Sequence, residues 1–467
     1  MTEIIRHTLR ESKAARWFAL GLIAFTMLAA YFFVDMMAPL QSLLEKKYAW
    51  QPDTYGFFSG SEYMLNVLGF LILSGIILDK MGIRFTGLTA AATMLVGGVI
   101  KYYGLTDYFN NGGFGYEFFN SFWASMPPSA KVASIGFAIF GIGVEMAGIT
   151  ISKTIVKWFK GKELALAMGM EMATARLGAS VAFFFSSEIA GAGRTGEDPI
   201  KSIYFGLALL TMGFLTFLTY IFMDVKLDKQ DKTHNEEGPA EEFKLSDLGK
   251  ILTNRGFLII SLLCVLFYSG VFPFLKYAVN MMENRLGISN VAAGYISGML
   301  PVGTIILTPI IGNYLDRKGK GATMMIFGAA LLTLAHLTFA LVPLNMVLAI
   351  IAIIVLGVAF SLVPASMWPS VPKIVEDRYL GSAYALVFWI QNIGLMFIPW
   401  LIGKVLVAVN PGIAERIQAG ETGLTYDYTF PMLIFAGLGI LAIFLGYMLK
   451  REDKKKNYGL ELPNKQK

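Results

Sequence analysis

Gly75-Ile-Ile-Leu-Asp79-Lys80-Met81-Gly82 and Gly312-Asn-Tyr-Leu-Asp316-Arg317-Lys318-Gly319 are two copies of one pattern, G-x-x-x-D-[K/R]-x-G, set 237 residues apart. Each copy joins two long apolar runs. A second pair of stretches repeats as well. Residues 159–178 align without gaps on 375–394, matching Leu164 with Leu380, Ala167 with Ala383 and Gly178 with Gly394 at an offset of 216. The offset falls by 21 because the first half carries a longer loop at 105–130. Repeated halves in an apolar chain predict a transporter that rocks about a central site.

Composition sets the surroundings of that repeat. Of 467 residues, 55% are hydrophobic and 15% charged, with a mean hydropathy of +0.58. Soluble domains carry about a quarter charged residues. Apolar runs longer than ~18 residues recur along the chain, which marks membrane-spanning helices. A soluble enzyme, a disordered chain and a nucleic-acid-binding domain are excluded, and unbroken runs argue against an outer-membrane barrel. Twelve runs are expected to cross, at about 16–40, 56–78, 85–104, 131–156, 164–190, 201–223, 256–282, 290–314, 322–343, 346–372, 379–406 and 429–449. The expected fold is all-α, with twelve transmembrane helices in two pseudo-symmetric six-helix bundles at 16–224 and 256–449. A charged linker, 225–255, joins them. Within it Phe243, Leu248, Ile251 and Leu252 recur at helical spacing behind a candidate cap, Ser246, which predicts an amphipathic helix over 239–253. Tails at 1–15 and 450–467 complete the chain, and the charged tail after Lys450 is expected to be mobile.

The net charge of +6 and pI ≈ 9.0 follow from the same topology. With the N-terminus in the cytoplasm, 28 Lys and Arg fall on the cytoplasmic side and 10 on the other. That asymmetry predicts cytoplasmic termini and needs no nucleic-acid partner. No cleavable signal sequence is read before the first span. Cys264 is the only cysteine, and His7, His234 and His336 are scattered, so neither a disulfide nor a metal centre is expected. No nucleophile–base set or phosphate loop is visible, so the chain reads as a non-enzyme without cofactors.

Twelve spans, a central linker and the signature in both the 2–3 and 8–9 loops resemble the major facilitator superfamily over roughly residues 16–450. The first copy departs slightly, with a single basic residue, Arg84, after Gly82 where the family often has two. The physical task of the signature would be gating. Gly75 and Gly312 would permit close helix contact. Asp79 and Asp316 would cap or pair with neighbouring helix ends, with Gly82, Arg317 and Gly319 completing the turns.

Charges inside the membrane cost about 2.5–3.5 kcal/mol on insertion scales and are functional candidates by default. Glu145 in span 4 and Arg176 in span 5 lie about 18 Å and 20 Å from the same surface at 1.5 Å per residue. They are expected at one depth on neighbouring helices, either as an ion pair fastening spans 4 and 5 or as two opposite charges lining a cavity. The second half has Asn392 where the first has Arg176. Trp368 stands in a proline-broken stretch, Pro364-Ala-Ser-Met-Trp368-Pro369-Ser-Val-Pro372, where packing or interfacial anchoring would also suit it. With Leu380-Gly381-Ser-Ala383-Tyr384 and Gln391-Asn392-Ile-Gly394, these residues resemble the dipeptide-uniporter branch of the superfamily, known from lysosomes, and its bacterial relatives. That resemblance implies dipeptide transport: Glu145 would receive the peptide amino group and Arg176 its carboxylate, and Trp368 would shape the pocket. Tyr31, Tyr268, Gln391 and Asn392 are further candidates to line it.

Asp35 and Lys276 sit at similar depth in symmetry-related spans 1 and 7 and form a candidate outer gate, or else snorkel independently. Uniport is expected, because Arg176 beside Glu145 argues against a freely titrating carboxylate there; Glu62 and Glu171 remain the other carboxylates available as relays. The partners expected are a small zwitterionic substrate and the lipid bilayer, with the chain a monomer. No acidic dileucine signal and no Asn-x-Ser/Thr sequon occurs, which favours a bacterial inner membrane. An organic-anion or monocarboxylate antiporter is the alternative, with Glu145 then only a partner to Arg176. A non-transporting sensor or scaffold is the remote one.

Overall fold

The computed structural model describes residues 9–230 and 248–463, which contain helices and turns and no strand. Ten helical runs are long and apolar enough to cross a membrane. One of them, Pro52–Gly104, has 53 residues, roughly 80 Å at 1.5 Å per residue and more than twice the hydrocarbon thickness. It is two spans, because Gly82 at φ 76° and ψ 175° folds it back. Leu164–Ala190 is a further span whose Glu171, Arg176 and Glu188 lower its hydropathy. In chain order the twelve spans are Lys13–Asp35, Pro52–Gly104 (spans 2 and 3), Pro128–Phe159, Leu164–Ala190, Pro199–Gln230, Arg255–Leu286, Asn290–Lys318, Gly321–Leu341, Met346–Met367, Leu380–Val409 and Thr429–Lys456.

Local sequence sets where they start. Prolines open spans 2, 4 and 6, where the missing N–H costs nothing. Ser12, Asn254, Ser289 and Asn345 cap spans 1, 7, 8 and 10, each accepting from a backbone N–H in the first turn. The prolines of span 10 end its α-helix at Met367, after which Trp368–Ser370 tightens into a 3-10 turn.

The repeat is a repeat of packing. Span 1 lies on spans 5 and 6, and span 7 lies on 11 and 12 in the same way. A Cβ on Gly178 would meet Leu28 O of span 1 at 2.3 Å, and one on the aligned Gly394 would meet Ser269 Oγ of span 7 at 2.3 Å. The halves join along two seams, span 2 on span 11 and span 5 on span 8. Both seams need glycine: a Cβ on Gly60 would stand 2.1 Å from Met396 O, and one on Gly294 2.5 Å from Phe183 O.

Two expectations are corrected. Gly75 and Gly312 make no close helix contact, since a Cβ on either would meet nothing within 4 Å. The halves are held together at the other end, so these glycines face open space. Nor is the tail free. The last helix runs to Lys456, Leu460 is buried, and Glu461 accepts from Thr323 N at 2.9 Å and from Lys320 N through its own carbonyl at 2.9 Å. The backbone N–H groups at the start of span 9, turned up by Gly319 at φ 72°, supply the reason. Of the proposed linker helix, Leu248–Thr253 is helical; Phe243, Ser246 and the rest of 231–247 lie outside the described residues.

Candidate functional site

Glu145 and Arg176 project toward the seam between the halves. No ion pair joins them among the described residues, which speaks against the first of the two alternatives, an ion pair fastening spans 4 and 5. Spans 4 and 5 flank the centre instead of packing face to face: span 4 lies on spans 2 and 3, span 5 on 1 and 8. Each charge therefore meets the opposite half. The Arg176 guanidinium lies over two rings of the C-terminal half, 4.9 Å from the centroid of Phe360 and 5.6 Å from that of Phe272. Such stacking holds a cation by its faces and leaves its N–H edges free. Asn392 of span 11 comes up against Glu145, yet its Nδ2 is buried and makes no hydrogen bond of ordinary geometry. A buried donor left unmet calls for an acceptor.

Around Arg176 the walls are aromatic. Tyr268 stacks on Phe272 at 5.7 Å and meets Phe360 edge-on at 5.9 Å. The Trp368 indole donates to Tyr268 Oη at 3.0 Å, and the Tyr384 hydroxyl donates to Trp368 O at 3.3 Å. Tyr31 is within electrostatic reach of both Arg176 and Glu145. The structure thus brings Glu145, Arg176, Trp368, Asn392, Tyr31 and Tyr268 to one region. It does not bring Gln391, whose amide oxygen accepts from Cys264 Sγ at 3.4 Å inside the C-terminal half. One residue from Asn392 is about 100° round the helix, enough to turn it away.

Beyond this region, away from the termini, the halves are bolted together. Lys276 Nζ donates to Asp35 Oδ1 at 2.8 Å and to Val34 O at 2.9 Å, and lies 4.0 Å from Glu62, all of them buried. Tyr55 Oη donates to Lys276 O at 3.0 Å, and Tyr277 Oη donates to Pro52 O and Pro399 O. Ser42 Oγ donates to Glu283 Oε2 at 2.5 Å, and Tyr426 Oη donates to Glu45. The deepest such link has the Trp389 indole donating to Val67 O at 2.8 Å.

At the end that carries the termini, Asp79 lies 3.3 Å from Lys153 of span 4, and Asp316 is also engaged. Gly82 and Gly319 make the positive-φ turns, and Arg317 is exposed. Arg84 does more than the sequence suggests: it reaches Asp224 and Asp228 of span 6, and Lys157 of span 4 joins them at 2.9 and 2.8 Å. Sequence reasoning missed Asp224, one residue beyond the expected end of span 6. It also missed Lys101, buried under Phe33 and Phe137 at 4.2 and 4.4 Å, although its place inside the third apolar run was a signal. Phe272 and Phe360 carried no signal at all in so aromatic a chain.

Comparison with known proteins bears on the family and the fold. The family model described as Major Facilitator Superfamily matches residues 23–399, with a second match over 277–464. The lysosomal dipeptide transporter MFSD1 of Homo sapiens is 27% identical over 412 residues, covering 84% of this chain and 80% of its own length. The same protein of Mus musculus is 27% identical over 407 residues, with the same coverage. Among solved structures, a bacterial homologue of the human lysosomal transporter Spinster, inward-facing and unoccupied, superimposes with a TM-score of 0.70 at 12% identity, covering 95% of this chain and 98% of that one. The nucleoside transporter NupG does so with a TM-score of 0.65 at 18% identity, covering 93% and 99%. At these identities the two structures speak for the fold alone.

Proposed function

The chain belongs to the Major Facilitator Superfamily, and we propose that it carries small zwitterionic peptides, dipeptides above all, across a membrane by alternating access. The observation that carries the reading is that Glu145 and Arg176 are opposite charges at one site with no ion pair to each other. Burying either charge unmatched is costly. A dipeptide supplies one partner to each, its ammonium to Glu145 and its carboxylate to the free edge of Arg176. Both charges are then neutralised without a further ion, so the transport proposed is uniport. The anion-antiporter alternative needs Glu145 as the partner of Arg176, a pairing the geometry does not support. The similarity to dipeptide transporters points the same way.

With the halves joined at the far end and Gly75 and Gly312 facing open space, the state is read as open toward the end that carries both termini. The Lys and Arg asymmetry assigns that end to the cytoplasm, so the state is inward-open, and Asp35 with Lys276 is the closed outer gate. The lack of an acidic dileucine pattern in the N-terminal tail and of any Asn-x-Ser/Thr sequon favours a bacterial inner membrane, and the chain is proposed to act as a monomer.

The test is competition in proteoliposomes by a free dipeptide, its N-acetyl form and its C-amide form. Both capped forms should compete at least tenfold more weakly, each losing one charge pair. Arg176→Lys should impair transport, since a point charge replaces a fork, and Glu145→Gln should do so through the amino end. If the N-acetyl peptide competes as well as the free one, Glu145 does not read the amino group and the proposal fails.

A further inference from the structure

Span 11 presents a second feature on the face that carries Asn392. Phe388 is four residues earlier, hence on the same face and about 6 Å closer to the terminal end. It is 38% exposed although it lies within a span at the seam of the bundle. Its ring stacks on Trp368, centroids 4.7 Å apart and planes at 25°. Tyr384, one further turn along, lies 6.0 Å from Trp368, ring to ring. The neighbouring Trp389 is spent on Val67 O, at the seam with span 2. Three rings thus form a shelf directly below the place where Asn392 faces Glu145.

Resting on the clamp proposed above, we propose that Phe388, backed by Trp368 and Tyr384, is a side-chain subsite that makes the protein select peptides with a large apolar or aromatic first residue. The geometry assigns the first residue. Its side chain branches from the same carbon as the amino group, and the amino group is held at Glu145, which Asn392 faces one helical turn above the shelf. The second residue's side chain leaves near the carboxylate, where Phe272 and Phe360 are already covered by Arg176. A flat side chain laid on Phe388 removes apolar surface of both partners from water. An acidic first side chain would meet ring faces, which carry negative charge density, with no cation among the shelf residues.

The experiment is a competition series in proteoliposomes with Phe-Ala, Ala-Phe, Ala-Ala and Asp-Ala, on the wild-type protein and on Phe388→Ala and Phe388→Tyr. Phe-Ala should compete about tenfold better than Ala-Ala, Ala-Phe no more than two- to threefold better, and Asp-Ala worst. The quantity read in the variants is the ratio of Phe-Ala to Ala-Ala, whatever the absolute affinity. It should fall close to one in Phe388→Ala and persist in Phe388→Tyr, with a thermal melt of each variant reporting that it is folded. Equal competition by Phe-Ala and Ala-Ala in the wild type, or a ratio unchanged in a folded Phe388→Ala, overturns the subsite and leaves the clamp standing. Failure of all four peptides to compete overturns the clamp and the subsite with it.

Discussion

Removing Asp35 tests the gate most directly. In Asp35→Asn, Lys276 keeps Val34 O at 2.9 Å and a distant Glu62 at 4.0 Å, but loses a carboxylate at 2.8 Å. Breaking a buried pair costs about 3–5 kcal/mol when nothing replaces it. The two remaining contacts and the new amide bring the expected cost to about 2–3 kcal/mol. That cost falls on the state in which the pair is buried, so the equilibrium between the two proposed access states should move roughly 30- to 150-fold toward the outward-open one. Spin labels at Asn111 and Gln418, exposed on opposite halves at the far end, would report it as growth of a longer-distance population. Cys264 is the only cysteine and is buried, so it leaves the labelling clean. The charge swap is a stricter test, and the structure limits it. In Asp35→Lys with Lys276→Asp, the new carboxylate would face Val34 O and Glu62, so the swap should recover only part of the transport lost in each single variant. Adding Glu62→Gln should recover more. A distance distribution unmoved in Asp35→Asn, together with a swap no better than Lys276→Asp even in the Glu62→Gln background, would refute the gate.

Gly60→Val should drive the same equilibrium the same way, because a side chain there strikes Met396 O; the expected readout is the longer-distance population with the fold intact by circular dichroism. Truncation after Asn457 should lower the melting temperature by a few degrees, since it strips Glu461 from the start of span 9 and unpacks buried Leu460; an unchanged melt would mean the tail contributes nothing. An imposed pH gradient alone should not drive uphill accumulation of dipeptide in proteoliposomes, and accumulation would replace uniport by proton coupling. Phe360→Glu should pair with Arg176 across the halves and suppress flux more than Phe360→Ala does; flux at the wild-type rate in Phe360→Glu would show that the ring is not between the halves during transport.

The repeat was legible because it is periodic in sequence and strict in packing. Gly82, Gly178 and their counterparts announce turns and close contacts by residue type alone, and Asp35 with Lys276 announced itself by charge and depth. The state of the protein was not legible. Gly75 and Gly312 read as contact glycines, yet they stand in open space with the far end closed, because in the proposed cycle one sequence serves both access states. Depth along a helix was readable but direction around it was not, which is why Gln391 was expected at the site and Glu145 was expected beside Arg176. Both depended on which neighbour each helix faces, and that is set by tertiary packing rather than by the 3.6-residue period.

The asymmetry imposed on the repeat is what the proposed cycle would use. Both fixed charges of the site, Glu145 and Arg176, belong to the N-terminal half; the aligned position in the other half is Asn392, and continuing the same offset places Ser361 opposite Glu145. The C-terminal half contributes amide and rings. A substrate held by its two ends therefore stays with the first half while the second moves past it. Ion pairs and bidentate forks depend steeply on distance and direction. A guanidinium over Phe360 and Phe272, or a side chain on Phe388, tolerates sliding, because the attraction to a ring face varies gently with position. Two charged clamps, one on each half, would have to break an ion pair at every turnover. With both charges on one side, the contacts that would change between access states are the weak and non-directional ones, while the proposed gate of Asp35 and Lys276 would be exposed to water on opening and recover its hydration as it parts.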